Sequence, residues 1–168
     1  AVNDAPLVDN EIITTNEDTA VTGDLTDAGD FDPDGTTLTA DTIPVNGPNH
    51  GTIVINTDGT YTYTPTANFN GTDTVVVSIC DGGLPMPAIC VNDTIFITVN
   101  PINDPIVAVN DTIQINSGET VVIGIIGNDF DIDGNLDLSS ISIVSDPTQG
   151  EFTLNNTTGE ITYIPNAN

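Results

Sequence analysis

The chemically most suggestive residues in this chain are carboxylates set in short loops that end in glycine. Asp32-Pro33-Asp34-Gly35 and Asp131-Ile132-Asp133-Gly134 each place two carboxylates one residue apart ahead of a glycine. Alternate Asp side chains in such a loop can converge on one point, and glycine permits the sharp turn. That arrangement suits a hard cation such as calcium, which takes about six to eight oxygen ligands. An ordinary turn favours the same residue types, so one loop alone decides nothing. Other chemistry is thinly represented. His50 stands alone in a Pro-Asn-His-Gly turn, with no Ser or Cys near it in a nucleophile pattern. Paired carboxylates could in principle hydrolyse glycosides. Here they fall in separate loops, with no Trp to build a sugar platform. The expectation is a chain that is not an enzyme.

The charge balance sharpens the cation reading. The 168 residues hold 25 Asp and Glu and no Lys or Arg, a formal net charge of −25. No carboxylate can be neutralised by an internal salt bridge, so each must face solvent, keep its proton or recruit a cation from outside. Nucleic acid and direct membrane insertion are excluded as partners, since both phosphate backbones and anionic lipid require basic contacts. No apolar run approaches the roughly 20 residues of a membrane helix. Acidity of this order also marks disordered tails, but those are poor in apolar residues, and here 38% are hydrophobic. Ala1 opens directly into loop-like sequence without a leader pattern, which reads as a mature or internal stretch.

Cys80 and Cys90 flank a Gly- and Pro-rich turn. A disulfide across a hairpin in an oxidising compartment fits that placement. A zinc pair would need further soft ligands, and only His50 is left to supply one.

These loops sit in an internal repeat. GDFDPDG from Gly29 returns as NDFDIDG from Asn128, and GTYTYTPTAN ending at Asn68 returns as GEITYIPNAN ending at Asn168. The linker repeats too, VNDAP at Val2 to Pro6 against INDP at Ile102 to Pro105. A period near ~100 residues suits a bead-like domain rather than a solenoid turn. Val, Ile and Thr alternate with period two, and no stretch has helical apolar spacing, so the fold is all-β. Expected strands in the first unit are 12–14, 20–25, 37–45, 52–56, 61–64, 73–80 and 92–99. Asp58-Gly59 is a hairpin signal, and Ile95, Ile97 and Val99 share one face of the last strand. Strands at this spacing predict a Greek-key β-sandwich. The domains are expected at 1–102 and 103–168, the second lacking its last two strands.

With these pieces in place, a resemblance becomes specific. Asp81-Gly82-Gly83-Leu84-Pro85, the alternating strand to Val99 and Asn100-Pro101-Ile102-Asn103-Asp104-Pro105 resemble the end of a cadherin repeat. The VNDAP, EDT, DPDG, GTYTYTP, NFNGTD and ICDGG pieces resemble the bacterial cadherin-like tandem repeat of large surface adhesins. The paired cysteines are similar to those in gliding-motility adhesins exported by type IX secretion. The resemblance implies tandem sandwich domains of cadherin or immunoglobulin type with structural calcium. Its implied ligands at the junction of the repeats are Glu17, Asp73, Asn100, Asn103, Asp104, Asp131 and Asp133, with Asp129 as a further candidate. At the opposite end of the first repeat they are Asn3, Asp4, Asp32, Asp34 and Asp81. Asn100 stands where animal cadherins usually carry Asp, which implies weaker binding, toward ~10⁻⁴ to 10⁻³ M. Asp-Thr-apolar triplets at Thr19, Thr42, Thr74, Thr94 and Thr112 resemble a bacterial O-glycosylation motif.

The functional expectation is an extracellular stalk repeat at the bacterial cell surface. Calcium would stiffen the junction and extend an adhesive tip, with adjacent repeats of the same chain as the expected partners. The alternatives are a module that itself binds carbohydrate or protein, and a passive spacer of a secreted enzyme.

Overall fold

The structure is a computed structural model describing residues 2–27 and 29–167; Ala28 and the terminal residues of the two expected domains, Ala1 and Asn168, lie outside the described residues. The chain divides into two compact units, Ala1–Ile102 and Asn103–Asn168.

Among the described residues the first unit contains seven strands: β1 (Glu11–Asn16), β2 (Val21–Asp24), β3 (Thr39–Ala40), β4 (Gly51–Ile55), β5 (Thr60–Pro65), β6 (Gly71–Cys80) and β7 (Cys90–Asn100). They form two sheets, ordered β1-β7-β6-β3 and β2-β5-β4. Strand β1 runs parallel to β7, with Glu11 opposite Ile95 and Asn16 opposite Asn100. Strands β6 and β7 are antiparallel from Gly71 opposite Val99 to Cys80 opposite Cys90. The period-two alternation places Tyr61 and Tyr63 of β5, Val75, Val77 and Ile79 of β6, and Ile95, Ile97 and Val99 of β7 in the interior, with Leu25 and Ile55 among them. Burial of these side chains is the main stabilising term, about 1.5–3 kcal/mol for each large one.

Local chemistry explains most of the element ends. The β4–β5 hairpin turns at Asp58-Gly59, where Gly59 has φ +91°, a left-handed conformation that glycine adopts without a Cβ clash. The expected strand over 37–45 is cut to the two residues of β3. It is the edge strand of its sheet, and Pro44 lacks an N–H, so pairing with β6 resumes only as a single bridge between Asn46 and Val76.

Cys80 and Cys90 form a disulfide at the loop end of the β6–β7 hairpin, where β6 ends and β7 begins. Closing so short a loop is expected to contribute roughly 2–3 kcal/mol. The double variant Cys80→Ser/Cys90→Ser should therefore lower the first unit's stability by about that amount in denaturant titration, with its circular dichroism unchanged.

The second unit contains β8 (Val121–Gly124), a 3₁₀ turn η1 (Leu138–Ser140), β9 (Gly150–Asn155) and β10 (Glu160–Pro165). Its sheet order, β8-β10-β9, repeats β2-β5-β4 of the first unit. The register repeats with it. Tyr63 lies opposite Val21 and Ile53, and Tyr163 opposite Val121 and Phe152. The two tyrosines also donate to equivalent carbonyls, Tyr63 to His50 O at 3.2 Å and Tyr163 to Gln149 O at 2.8 Å. Their surroundings differ: Tyr63 is fully buried, whereas Gly159 is the only buried residue among those described in the second unit.

Candidate cation sites

The Asp-x-Asp-Gly loops have the same internal scaffold in both units. In the first, Asp4 N donates to Asp34 Oδ2 at 2.7 Å, Asp34 N to Asp32 Oδ1 at 3.2 Å and Gly35 N to Asp32 O at 2.9 Å. In the second, Asp104 N donates to Asp133 Oδ2 at 2.7 Å, Asp133 N to Asp131 Oδ1 at 2.9 Å and Gly134 N to Asp131 O at 3.1 Å. Gly35 and Gly134 close these turns at φ +78° and +69°. Each loop is also stitched to its opening segment by a two-way bridge, Leu7 with Phe31 and Val107 with Phe130.

Around the first loop, Asn3, Asp4, Asp32, Asp34 and Asp81 belong to one network. Asn3 Nδ2 donates to Asp81 Oδ2 at 2.8 Å and to Pro87 O at 3.0 Å, while Asp81 Oδ1 accepts from Gly83 N and Ile89 N. Thr36 joins Asp32 to Gly82: its hydroxyl donates to Asp32 Oδ2 and accepts from Gly82 N. The Thr36 hydroxyl, together with the Thr36 and Asp34 N–H groups, holds the Asp32 carboxyl below its ordinary range against a smaller opposing effect of burial, so it is ionised at neutral pH. One acceptor in this network, the buried Asn3 Oδ1, has no hydrogen-bond partner. An all-oxygen donor set with an orphaned amide oxygen fits calcium. The network is looser than the sequence implied, since among the described residues no three carboxylates of Asp4, Asp32, Asp34 and Asp81 converge within 4.8 Å.

The remaining expected ligands make the following contacts within their own units. Glu17 is buried, accepts from Ile102 N through Oε1, and its N–H donates to Asn100 O at 2.9 Å. Asn100 Nδ2 reaches Asn16 Oδ1 at 3.4 Å. In the second unit Asn103 Oδ1 accepts from Asn135 Nδ2 at 3.1 Å. Asp129 Oδ1 accepts from Val109 N at 2.8 Å, the counterpart of Asp30 accepting from Asp9 N at 2.9 Å, so it serves the loop-to-segment lock rather than the Asp131–Asp133 turn.

Asp73 requires a correction. Its Oδ1 accepts from Asn49 N at 3.0 Å and Thr74 N at 2.9 Å, and its Oδ2 from His50 N at 2.8 Å and the Tyr63 hydroxyl at 3.1 Å. Four donors exhaust the lone-pair directions of a carboxylate, leaving none for a metal. Burial alone would raise its pKa, but these donors together hold it below the ordinary value. Asp73 thus ties the loop before β4 to β6. Asp73→Ala is expected to cost roughly 2–4 kcal/mol, from several buried N–H and O–H groups left unpaired. Thermal melts should show an equal loss in calcium and in chelator; a loss confined to calcium would restore Asp73 as a ligand.

Carboxylates also converge where the sequence reading did not look. Asp9, Asp27 and Asp30 bring oxygens within 4.8 Å of one another, as do Glu11, Asp30 and Asp93. The signal for Asp93 was present: it has the same parity in β7 as Ile95, Ile97 and Val99, and is as buried as they are. Of the five Asp-Thr threonines, Thr19, Thr42 and Thr112 are exposed and Thr74 and Thr94 are half-buried within strands. His50 stacks on Phe69 with ring centroids 4.2 Å apart.

Comparison with known proteins places this architecture. No curated protein matches the sequence. Among solved structures, the human desmocollin-1 ectodomain matches at 19% identity over 98% of this chain and 34% of its own, with a TM-score of 0.45. The protocadherin gamma-B4 extracellular domain matches at 14% identity over 99% and 30%, with a TM-score of 0.48. An endo-fucoidan hydrolase of glycoside hydrolase family 107 matches at 17% identity over 95% and 24%, with a TM-score of 0.42. The chain spans about a third or less of these proteins. The sequence profile of the bacterial Ig domain covers residues 3–88 and 103–168, one match in each compact unit. With two-sheet packing in the first unit and the same three-stranded sheet repeated in the second, this is an all-β chain of immunoglobulin-like sandwich architecture, and it belongs to the bacterial Ig domain family.

Proposed function

We propose that this chain is a calcium-stiffened structural repeat of a large bacterial surface adhesin, a non-catalytic stalk that carries an adhesive tip away from the cell. One observation carries the reading: the same acidic loop, locked by the same hydrogen bonds, recurs in both units of a chain that contains no Lys or Arg. Asn3, Asp4, Asp32, Asp34 and Asp81 would supply oxygens in the first unit, with Glu17 and Asn100 elsewhere in it. Asn103, Asp104, Asp131 and Asp133 would supply them in the second. Calcium would neutralise clustered carboxylates that otherwise repel, and the chain's own turns would hold those oxygens in place. The linkage between successive repeats then loses freedom, and the array resists bending.

Extracellular placement is supported by the Cys80–Cys90 disulfide, which persists in oxidising compartments. Export by type IX secretion and a role in gliding accord with the motif resemblance, and the exposed Thr19, Thr42 and Thr112 are the favoured sites for O-linked sugar. The rival reading, a carbohydrate-binding module, would call for exposed Trp or Tyr, whereas the chain has no Trp, Tyr61 and Tyr63 are buried and Tyr163 is half-buried. Small-angle scattering of the 168-residue chain tests the proposal: calcium should give a longer, narrower particle than chelator, and identical profiles would overturn it.

A further inference from the structure

Asp93 is the most anomalous residue of the first unit. It lies on the inward face of β7, opposite Val77 of β6, and is 0% exposed. Oδ1 accepts from Thr94 N at 2.6 Å, while Oδ2 has no hydrogen-bond partner. A buried carboxylate must be paired, protonated or bound to a metal, and this chain has no cationic Lys or Arg to pair it.

The groups facing Asp93 are acidic as well. Glu11 at the start of β1, Asp30 in the loop after β2 and Asp93 each offer an oxygen within 4.8 Å of the other two, and Asp30 is shared with the trio it forms with Asp9 and Asp27. Asp30 Oδ2 is a second buried acceptor without a partner. The Tyr61 hydroxyl is buried and unpartnered too, in the field of Glu11, Asp93, Asp24 and Asp27. Two glycines keep this space clear. A Cβ on Gly29 would meet Asp9 Oδ1 at 2.3 Å, and a Cβ on Gly23 would meet the Tyr61 hydroxyl at 2.2 Å. Two oxygens bound to one calcium at about 2.4 Å each can lie no more than about 4.8 Å apart. The convergence of these carboxylates therefore has the span a single calcium requires.

We propose a calcium site inside the first unit, formed by Glu11, Asp30 and Asp93 with Asp9 and Asp27 behind them. The ion joins β1, the loop after β2 and β7, three segments from both sheets of the sandwich. This site is separate from the Asp-x-Asp-Gly loops and does not depend on the stalk reading. Calcium is favoured over magnesium because the ligands are many, anionic and irregularly placed, whereas magnesium requires octahedral geometry and keeps its waters.

The test is calorimetric titration of calcium into the full chain and its Asp93→Asn variant, with thermal melts of both in calcium and in chelator. The proposal expects the variant to bind one calcium fewer per chain. It also expects a crossover: the variant melts at or above the parent in chelator, where a buried unpaired charge has been removed, and below it in calcium. Glu11→Gln, at the half-exposed rim, should lose the same equivalent and guards against misfolding of the Asp93 variant. Asp146→Asn, an exposed carboxylate outside this group and outside the Asp-x-Asp-Gly loops, should retain it. Unchanged stoichiometry in Asp93→Asn and Glu11→Gln would overturn the site. So would an equal change in melting temperature with and without calcium. Loss of the equivalent with the scattering response to calcium intact would separate this site from the stalk proposal.

Discussion

Replacing Tyr63 with alanine is expected to destabilise the first unit by roughly 3–5 kcal/mol, the cost of removing a large aromatic side chain from a packed interior. In a domain of this size that lowers the melting temperature by about 10 °C or more. Two contributions are at work. The ring is fully buried where the two sheets meet, and its hydroxyl is one of four donors to Asp73. Tyr63→Phe separates them: it keeps the ring and removes one hydrogen bond, at a cost of about 1–2 kcal/mol. Tyr163 has the same strand register and the same carbonyl partner, but it is only half-buried, so Tyr163→Ala should cost clearly less. Equal losses at the two tyrosines, in denaturant titrations of the full chain, would contradict the difference in packing.

The second large effect is on pH dependence. Burial is the main cause that pushes the Glu11 carboxyl up to about 7, with the negative charges of Asp93, Asp27, Asp30 and Asp9 adding to it. Burial likewise pushes Asp93 up to about 6, against the Thr94 N–H and with Asp30, Asp9 and Asp27 adding to the rise. Asp30 is raised as well, mainly by burial. Unfolded Asp and Glu titrate near ~4, so between about pH 4 and pH 7 the folded chain holds more protons than the unfolded one. Stability then falls as pH rises through that window, because stability increases with pH only where the unfolded state binds more protons. In chelator the first unit should melt several degrees lower at pH 8 than at pH 5. Calcium at the proposed site would bind the ionised form, so in its presence the melting temperature should hold or rise over the same interval. A calcium-free chain that gains stability toward pH 8 would show that these carboxylates are solvated rather than crowded.

The strands were largely legible in the sequence because their side chains alternate. Strands β5, β6 and β7 can be read from Tyr61, Tyr63, Val75, Val77, Ile95 and Ile97, and the β4–β5 turn from Asp58-Gly59. What parity cannot show is a polar residue occupying an apolar position. Asp73 and Asp93 both continue inward faces, yet the resemblance implied a cation ligand at Asp73, and Asp93 stood out only as the neighbour of Thr94. Asp73 is satisfied by backbone donors from Asn49 and His50, more than twenty residues away in sequence. Asp93 meets Glu11 and Asp30 only because β1 lies parallel to β7, a pairing between the two ends of the unit. The Asp-x-Asp-Gly loops were visible for the opposite reason: their hydrogen bonds are local, and the repeat displays them twice. Strand β3 was overestimated because its apolar residues suggested a full strand, while Pro44 and its edge position ended the pairing early.

The most direct measurement is scanning calorimetry of the intact chain at neutral pH, with calcium at about a hundred times a ~10⁻⁴ M dissociation constant and again with the ion stripped away. Mass action at that excess stabilises by about 2.7 kcal/mol per site, so the unfolding peak should move up by roughly 10 °C or more. Superimposed traces would mean that the negative groups are merely hydrated and would contradict the account of a divalent ion that stiffens this chain.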